Sequence, residues 1–322
     1  MRLASLSLDL DNKWSYMKTH GDASWQEFPS YLGEVIPIAL DIARQSGVRM
    51  TFFVVGQDAE LEQDRKALAA LGETDHEIGN HSFHHEPWLH LKSPAEIRFE
   101  LHRAHEAIRL ATGKNPEGFR GPGFSLSRAT LQTLIEMGYT FDCSTLPTFV
   151  GPLARAFYFR SAKLDPEERK RREKLFGAFS EGFRPNRPYR WMVGDRAIVE
   201  VPVTTMPLLR VPIHVSYVLY LARVSPWLAD RYVDASLAAC RIAGTEPSIL
   251  LHPLDFLGGD DVTGLDFFPA MDMKGDIKRR LVLRYIERLS RSHQILPMGE
   301  HVKAISARDL PEKQPDFAEA SS

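Results

Sequence analysis

The chain has 322 residues and a formal net charge of −2. That near-neutral balance gives no basic surface for bulk nucleic-acid binding, and the length suits one large α/β domain or two small ones. Its two cysteines, Cys143 and Cys240, cannot build a disulfide framework, which points to a reduced, cytoplasmic protein.

The opening MRLASLSLDLDNKW has no sustained apolar run and does not read as a signal peptide. Leu3–Leu10 reads as a strand, Pro29–Ser46 as a helix stopped by Gly47, and Met50–Val55 as a buried strand. Ala59–Leu71 is a second expected helix, and Glu77–Asn80 a short strand entering a histidine cluster. Ser93–Thr112 has the marks of a well-bounded helix: a Ser93/Glu96 capping box, Pro94 at the first position and Gly113 after the end. Gly118–Arg120, helix Ser127–Met137 and strand Tyr139–Asp142 continue the alternation. Residues 151–190 break it with a charged, helix-prone insertion, DPEERKRREK. Ala197–Val203, helix Pro226–Ala243, Ser248–Leu251, helix Asp276–Ser292 and Gln294–Pro297 restore it. The best apolar stretch, Val211–Ala222, is about a dozen residues, short of the roughly 20 that a membrane-spanning helix needs.

This rhythm implies a mainly parallel sheet, and the lack of a glycine-rich phosphate loop after the first strand favours a barrel over an open doubly wound sheet. The expected architecture is α/β, a distorted (β/α) barrel of seven or eight strands. A single domain covers 1–307, with the insertion at about 151–190 and a flexible polar tail at 308–322.

Four unusual clusters fall at expected strand ends, where barrel enzymes gather their chemistry. Asp9 and Asp11 share one face of the first strand, with Leu6, Leu8 and Leu10 on the other; an N-cap or loop acid is the plainer alternative. His81 and His85, four apart, converge on one ion if they lie on a helical turn; a polar surface turn is the alternative. Arg120-Gly121-Pro122-Gly123-Phe124 suits a loop presenting backbone N–H groups inward, or an ordinary turn. His252, fixed by Pro253, is placed for proton transfer, or is a satisfied core histidine.

In this order the four clusters resemble the motifs of the polysaccharide deacetylases, the NodB-homology or carbohydrate esterase family 4 group. His81-Ser82-Phe83-His84-His85 matches the family's His-Ser/Thr-x-x-His in full, Arg120 and Pro122 match Arg-x-Pro, and Leu250-Leu251-His252 matches the apolar strand ending in His. The resemblance implies a distorted (β/α) barrel, a divalent metal (Zn²⁺ first, with Co²⁺, Ni²⁺ or Mn²⁺ as substitutes) on Asp11, His81 and His85, Asp9 as base, Arg120 holding Asp9, and His252 as acid. Gly123 would offer its N–H to an oxyanion, with Pro122, Phe124 and Trp14 on the substrate side. The chain departs from the family where Leu10 separates the aspartates, where Gly123 replaces a tyrosine, and in the fourth motif, of which only Asp142-Cys143-Ser144 fits. Asp255 is then the candidate partner of His252.

The implied activity is removal of an N-acetyl or N-formyl group from an amino sugar in a cytoplasmic or lipid-linked glycan precursor. Basic residues in Arg155–Arg190 and the apolar run Met206–Trp227 suggest phosphate and lipid contacts, hence peripheral contact at the inner membrane face. No nucleic-acid partner is expected. The alternatives are a same-fold hydrolase of a cyclic imide or ureide, and a non-catalytic glycan- or lipid-binding protein.

Overall fold

A computed structural model describes residues 2–153, 156, 167 and 179–317. Its strands are β1 (Arg2–Asp9), β2 (Thr51–Val54), β3 (Glu77–Asn80), β4 (Gly118–Phe119), β5 (Phe141–Asp142), β6 (Tyr189–Val193), β7 (Arg196–Glu200), β8 (Ser248–Leu251), β9 (His293–Leu296) and β10 (Glu312–Lys313). The described helices are α1 (Lys13–His20), α2 (Leu32–Ser46), α3 (Gly56–Glu60), α4 (Glu62–Gly72), α5 (Pro94–Thr112), α6 (Arg128–Glu136), α7 (Val215–Val224), α8 (Pro226–Ala243), α9 (Gly275–Ser290) and α10 (Met298–Ser306).

The strands form one sheet in the order β10-β6-β7-β5-β4-β3-β2-β1-β8, with β9 also on β1. All pairings are parallel except the β6–β7 hairpin. The chain beyond β7 draws the two ends of the sheet together. Val203 N–H donates to Thr145 C=O at 2.9 Å, and Thr204 N–H donates to Ser248 C=O, at the start of β8, at 3.0 Å. The expected distorted barrel is thus present, with strands β1, β2, β3, β4, β5, β7 and β8 around it.

Strand periodicity sorts its two faces. Leu6, Leu8, Phe52, Val54, Ile78, Ile249 and Leu251 face outward and join one apolar cluster with residues of α2 and α9. The inner row of β1 is Ser5, Ser7 and Asp9, all buried. Phe53 and Phe141 fill the interior next to it, and they can do so because glycines face them. A Cβ on Gly79 would lie 2.4 Å from the Phe53 ring, and one on Gly118 2.0 Å from the Phe141 ring. Above this plug the inner residues turn polar, at the C-terminal ends of the parallel strands.

The capping box of α5 forms as the sequence indicates, with Gly113 at φ 71° after it. Elsewhere the structure corrects the sequence reading. The helix expected over Ala59–Leu71 is two, α3 and α4, meeting at the extended Leu61. The end of the 151–190 insertion is already strand: Tyr189–Val193 pairs with β7 across a turn at Gly194 (φ 65°). The rest of its charged run, apart from Glu167, lies outside the described residues. The tail does not fray over 308–317. Glu312 and Lys313 pair with β6, and the Phe317 ring packs 5.3 Å from that of Trp191.

One buried polar cluster anchors the turn that follows β1. Asn12 caps α1, its side chain accepting from Lys13 N–H at 2.8 Å and Tyr31 N–H at 3.1 Å. Its amide donates to Asp58 Oδ1 at 2.9 Å and to Asp64 Oδ2 at 3.3 Å. Trp14 Nε1 donates to the same Asp58 oxygen at 2.6 Å. Trp14 is therefore a buried anchor, 1% exposed, and not the substrate-side residue expected from sequence.

Burial pushes the Asp58 carboxyl up to about 8, against the pull of the Trp14 and Asn12 hydrogen bonds. An unfolded aspartate titrates near about 3.9. The folded state thus holds a proton that the unfolded chain releases, and stability falls as pH rises between those values. Asp58→Asn retains an acceptor oxygen but no titration. Its melting temperature should decline less than that of the parent between pH 5 and pH 8; parallel curves would remove the assignment.

Candidate active site

The segment after β3 is pinned before its histidines are placed. Phe83 is fully buried, and its ring fits because Gly56 lies beside it, where a Cβ would come within 2.7 Å. Gly56 N–H and Gln57 N–H donate to Ser82 C=O and Phe83 C=O, each at 2.9 Å. His84 is turned away and held by Glu100, which accepts from its N–H and pairs with its Nδ1, both at 2.7 Å. His81 and His85 are not on a helical turn, as the spacing suggested. They flank a loop with two left-handed residues, Ser82 (φ 62°) and His85 itself (φ 49°). Such conformations cost about 1–3 kcal/mol each for non-glycine residues, offset here by the anchoring contacts.

That loop and the end of β1 bring three donors together. His85 Nε2 lies 2.9 Å and His81 Nε2 3.2 Å from Asp11 Oδ1. One ligand atom from each residue lies within 4.8 Å of the others, and all three residues are buried. Asp11 Oδ1 and His85 Nε2 nevertheless have no hydrogen-bond partner among the described residues. Buried polar atoms without partners are costly, and a carboxylate with two imidazoles at this separation is a suitable donor set for a divalent cation. Burial raises the Asp11 pKa, but His85 and His81 outweigh it and hold the carboxyl well below its usual range.

Arg120, fully buried, serves two of these residues. Its Nη1 donates to Asp9 Oδ1 at 2.6 Å and to Ser7 Oγ at 2.9 Å. Its backbone C=O accepts a hydrogen bond from His81 Nδ1 at 2.6 Å, which turns Nε2 towards Asp11. The Phe53 ring lies 4.4 Å beneath the guanidinium. Asp9 Oδ2, which Arg120 leaves free, is 3.8 Å from His81 Nε2.

His252 ends β8 on the inner row and lines the same cavity. Its Nδ1 meets Ser216 Oγ of α7 at 3.1 Å. Asp255, the partner expected from sequence, takes the backbone N–H of His252 instead, at 2.8 Å. Ser216 had no signal in the sequence beyond its hydroxyl. The fourth-motif residues brace the loop after β4: Ser144 Oγ accepts from Gly121 N–H at 2.7 Å and donates to Asp142 Oδ1 at 2.6 Å. Glu200 and Trp191 of the β6–β7 hairpin gather there as well. Glu200, paired with Asp142, accepts from Trp191 Nε1 at 3.1 Å. Burial raises both carboxyls, and none of these three residues lines the cavity.

The cavity has a volume of about 350 Å³ and contains Asp9, Asp11, His81, His85 and His252. Gly123 and Phe124 also line it, and Pro122 is buried behind them. Gly123 is at φ 57°, and a Cβ there would be 3.0 Å from Pro87. The far wall is one the sequence reading missed. Tyr16 and His20 of α1 face Phe267 and Phe268, with His20 stacked on Phe267 at 3.7 Å and Tyr16 edge-on to Phe268 at 5.1 Å.

Residues 19–141 match the polysaccharide deacetylase family model. A peptidoglycan-N-acetylmuramic acid deacetylase of Bacillus subtilis is 33% identical over 104 residues, covering 32% of this chain and 38% of the relative. A peptidoglycan deacetylase of Helicobacter pylori is 25% identical over 148 residues, 45% of this chain and 50% of the relative. The chain thus spans half or less of the length of these curated relatives. Among solved structures, one from Mycobacterium smegmatis with a provisional polysaccharide deacetylase name superposes with a TM-score of 0.63 at 18% identity, covering 98% of this chain and 94% of that one. An allantoinase does so at 0.53 and 13%, covering 95% and 90%; both show likeness of fold. In its matched residues, its strand-end motifs and its barrel, the chain is similar to the polysaccharide deacetylases, with the family match confined to residues 19–141.

Proposed function

We propose that the protein is a metal-dependent hydrolase removing an acetyl or formyl group from the nitrogen of an amino sugar. The observation that carries this reading is the convergence of Asp11, His81 and His85 on one point, in a cavity that also holds Asp9 and His252. A divalent cation held by those three residues, Zn²⁺ from the nitrogen-rich donor set, would polarise the acyl carbonyl and lower the pKa of water. Asp9 takes the proton of the attacking water on Oδ2, while Arg120 fixes its other oxygen. The N–H of Gly123, at the cavity wall, is the backbone donor for the developing oxyanion. With Nδ1 engaged by Ser216, His252 delivers a proton from Nε2 to the departing nitrogen. The products are a free amine and acetate or formate.

Presence of both Asp9 and His252 in the cavity favours an enzyme over a binding protein. The allantoinase likeness is one of fold and gives the cyclic-ureide alternative no residue-level support. The cavity lies at the small end of the about 300–1,000 Å³ typical of ligand pockets, which fits one sugar residue with its acyl arm better than a long glycan. Cytoplasmic placement is part of the proposal and rests on two buried, unpaired cysteines.

A narrower proposal is a lipid-linked substrate. Part of the 206–227 stretch is core, with Val215, Val218, Leu219 and Ala222 buried. Its remainder supports lipid contact: Leu208 is 94%, Val224 76% and Trp227 69% exposed. In a flotation assay with anionic phospholipid vesicles, part of the protein should rise with the lipid. Retention of all of it in the bottom fraction would contradict the membrane contact.

For the chemistry, Asp9→Asn should keep its metal and lower kcat on a panel of N-acetylated glucosamine compounds about 10²–10⁴-fold, the usual contribution of a positioned base. Undiminished acetate release by this variant would overturn the assignment.

A further inference from the structure

Two tyrosines approach the metal-ligand carboxylate, and they differ in one respect. Tyr31 is a structural residue: its hydroxyl donates to the backbone C=O of Asp11 at 2.5 Å. Tyr16 has a buried hydroxyl with no hydrogen-bond partner among the described residues. A hydroxyl in that position forfeits its hydration without compensation, unless a partner arrives from outside the chain.

The placement of Tyr16 says where such a partner would come from. Its residue is partly exposed and lines the cavity shared by Asp11, His85 and His252, while its hydroxyl end is buried. The ring is fixed edge-on against Phe268, with centroids 5.1 Å apart and planes at 74°. Burial raises the phenol pKa well above its ordinary value, and the carboxylates of Asp11, Asp255 and Asp9 act in the same direction. The group therefore stays protonated, with an O–H to give.

We propose that Tyr16 is a catalytic residue whose hydroxyl donates a hydrogen bond to the acyl oxygen of the bound substrate, and to the oxyanion that forms from it. This deepens the hydrolase reading and rests on it for the identity of the acceptor. The donor comes from the first turns of α1, only five residues beyond Asp11, so the segment that supplies the metal-binding carboxylate also supplies a contact to the group being cleaved.

Tyr16→Phe tests this with a variant that deletes one oxygen atom having no partner among the described residues. Melting temperature and metal content should equal or exceed those of the parent. kcat for N-acetyl release should fall about 10²–10³-fold, as for loss of an oxyanion donor. Calorimetric titration of the metal-loaded protein with acetate, whose carboxylate can accept the same hydrogen bond, should show Kd rising about tenfold, as for loss of one hydrogen bond. Unchanged kcat together with unchanged acetate affinity would overturn the proposal, as would a melting temperature lowered by several degrees, which would mean that the hydroxyl has a structural partner. If the parent protein releases no acyl group yet binds acetate in a Tyr16-dependent manner, the donor assignment holds and the hydrolase reading fails. If the parent is active and Tyr16→Phe equally so, with equal acetate affinity, the reverse is true.

Discussion

The structure depends on a buried carboxylate that meets two imidazole nitrogens at one point. Asp11 Oδ1 is 2.9 Å from one ring nitrogen and 3.2 Å from another, and it has no further hydrogen-bond partner among the described residues. Left dry, such a group is unfavourable, since a buried charge needs a counter-charge or full hydrogen bonding. A cation at the shared point satisfies all three donors at once. The protein prepares the arrangement from behind: the Arg120 carbonyl orients the His81 ring, and the Arg120 guanidinium sets Asp9. One residue thereby couples the orientation of a metal ligand to that of the proposed base, so a change at Arg120 disturbs both.

The barrel makes this economical. Alternation along β1 places Ser7 and Asp9 inside while Leu6 and Leu8 hold the outer helices. Glycines in β3 and β4 admit the Phe53 and Phe141 rings, which close the interior below Arg120. The polar residues are then confined to the C-terminal ends of the strands, where loops rather than strands decide their final direction. The His81–His85 loop shows the consequence. Its two left-handed residues spend conformational energy that the Phe83 anchor and the Glu100–His84 contacts offset.

Much of this was legible in the sequence because it is written in local periodicity. The strand–helix alternation, the α5 capping box and the Asp9/Asp11 pair follow from side-chain period and capping chemistry, and the histidine motif was specific enough to name a family. What the sequence hid depends on distant partners. His81 and His85 were expected to converge through a helical turn, but their convergence comes from backbone conformations that no residue-type pattern in Ser82 or His85 announces. Trp14 was expected at the substrate, since an aromatic beside an acid pair says nothing of Asp58, 44 positions away, which draws it into the core. The Ser216–His252 contact and the Tyr16–Phe268 wall each join segments far apart in the chain, and only the closed barrel brings His252, Tyr16 and Phe268 to one cavity.

The central claim is that Asp11, His81 and His85 bind one metal ion through the atoms that now face one another. The most direct measurement is a crystal structure of the zinc-loaded protein with anomalous diffraction data at the zinc edge. The account predicts a single strong peak about 2.0–2.2 Å from an Asp11 carboxylate oxygen and from Nε2 of both histidines. A peak elsewhere, or none at this position in zinc-saturated crystals, would contradict it.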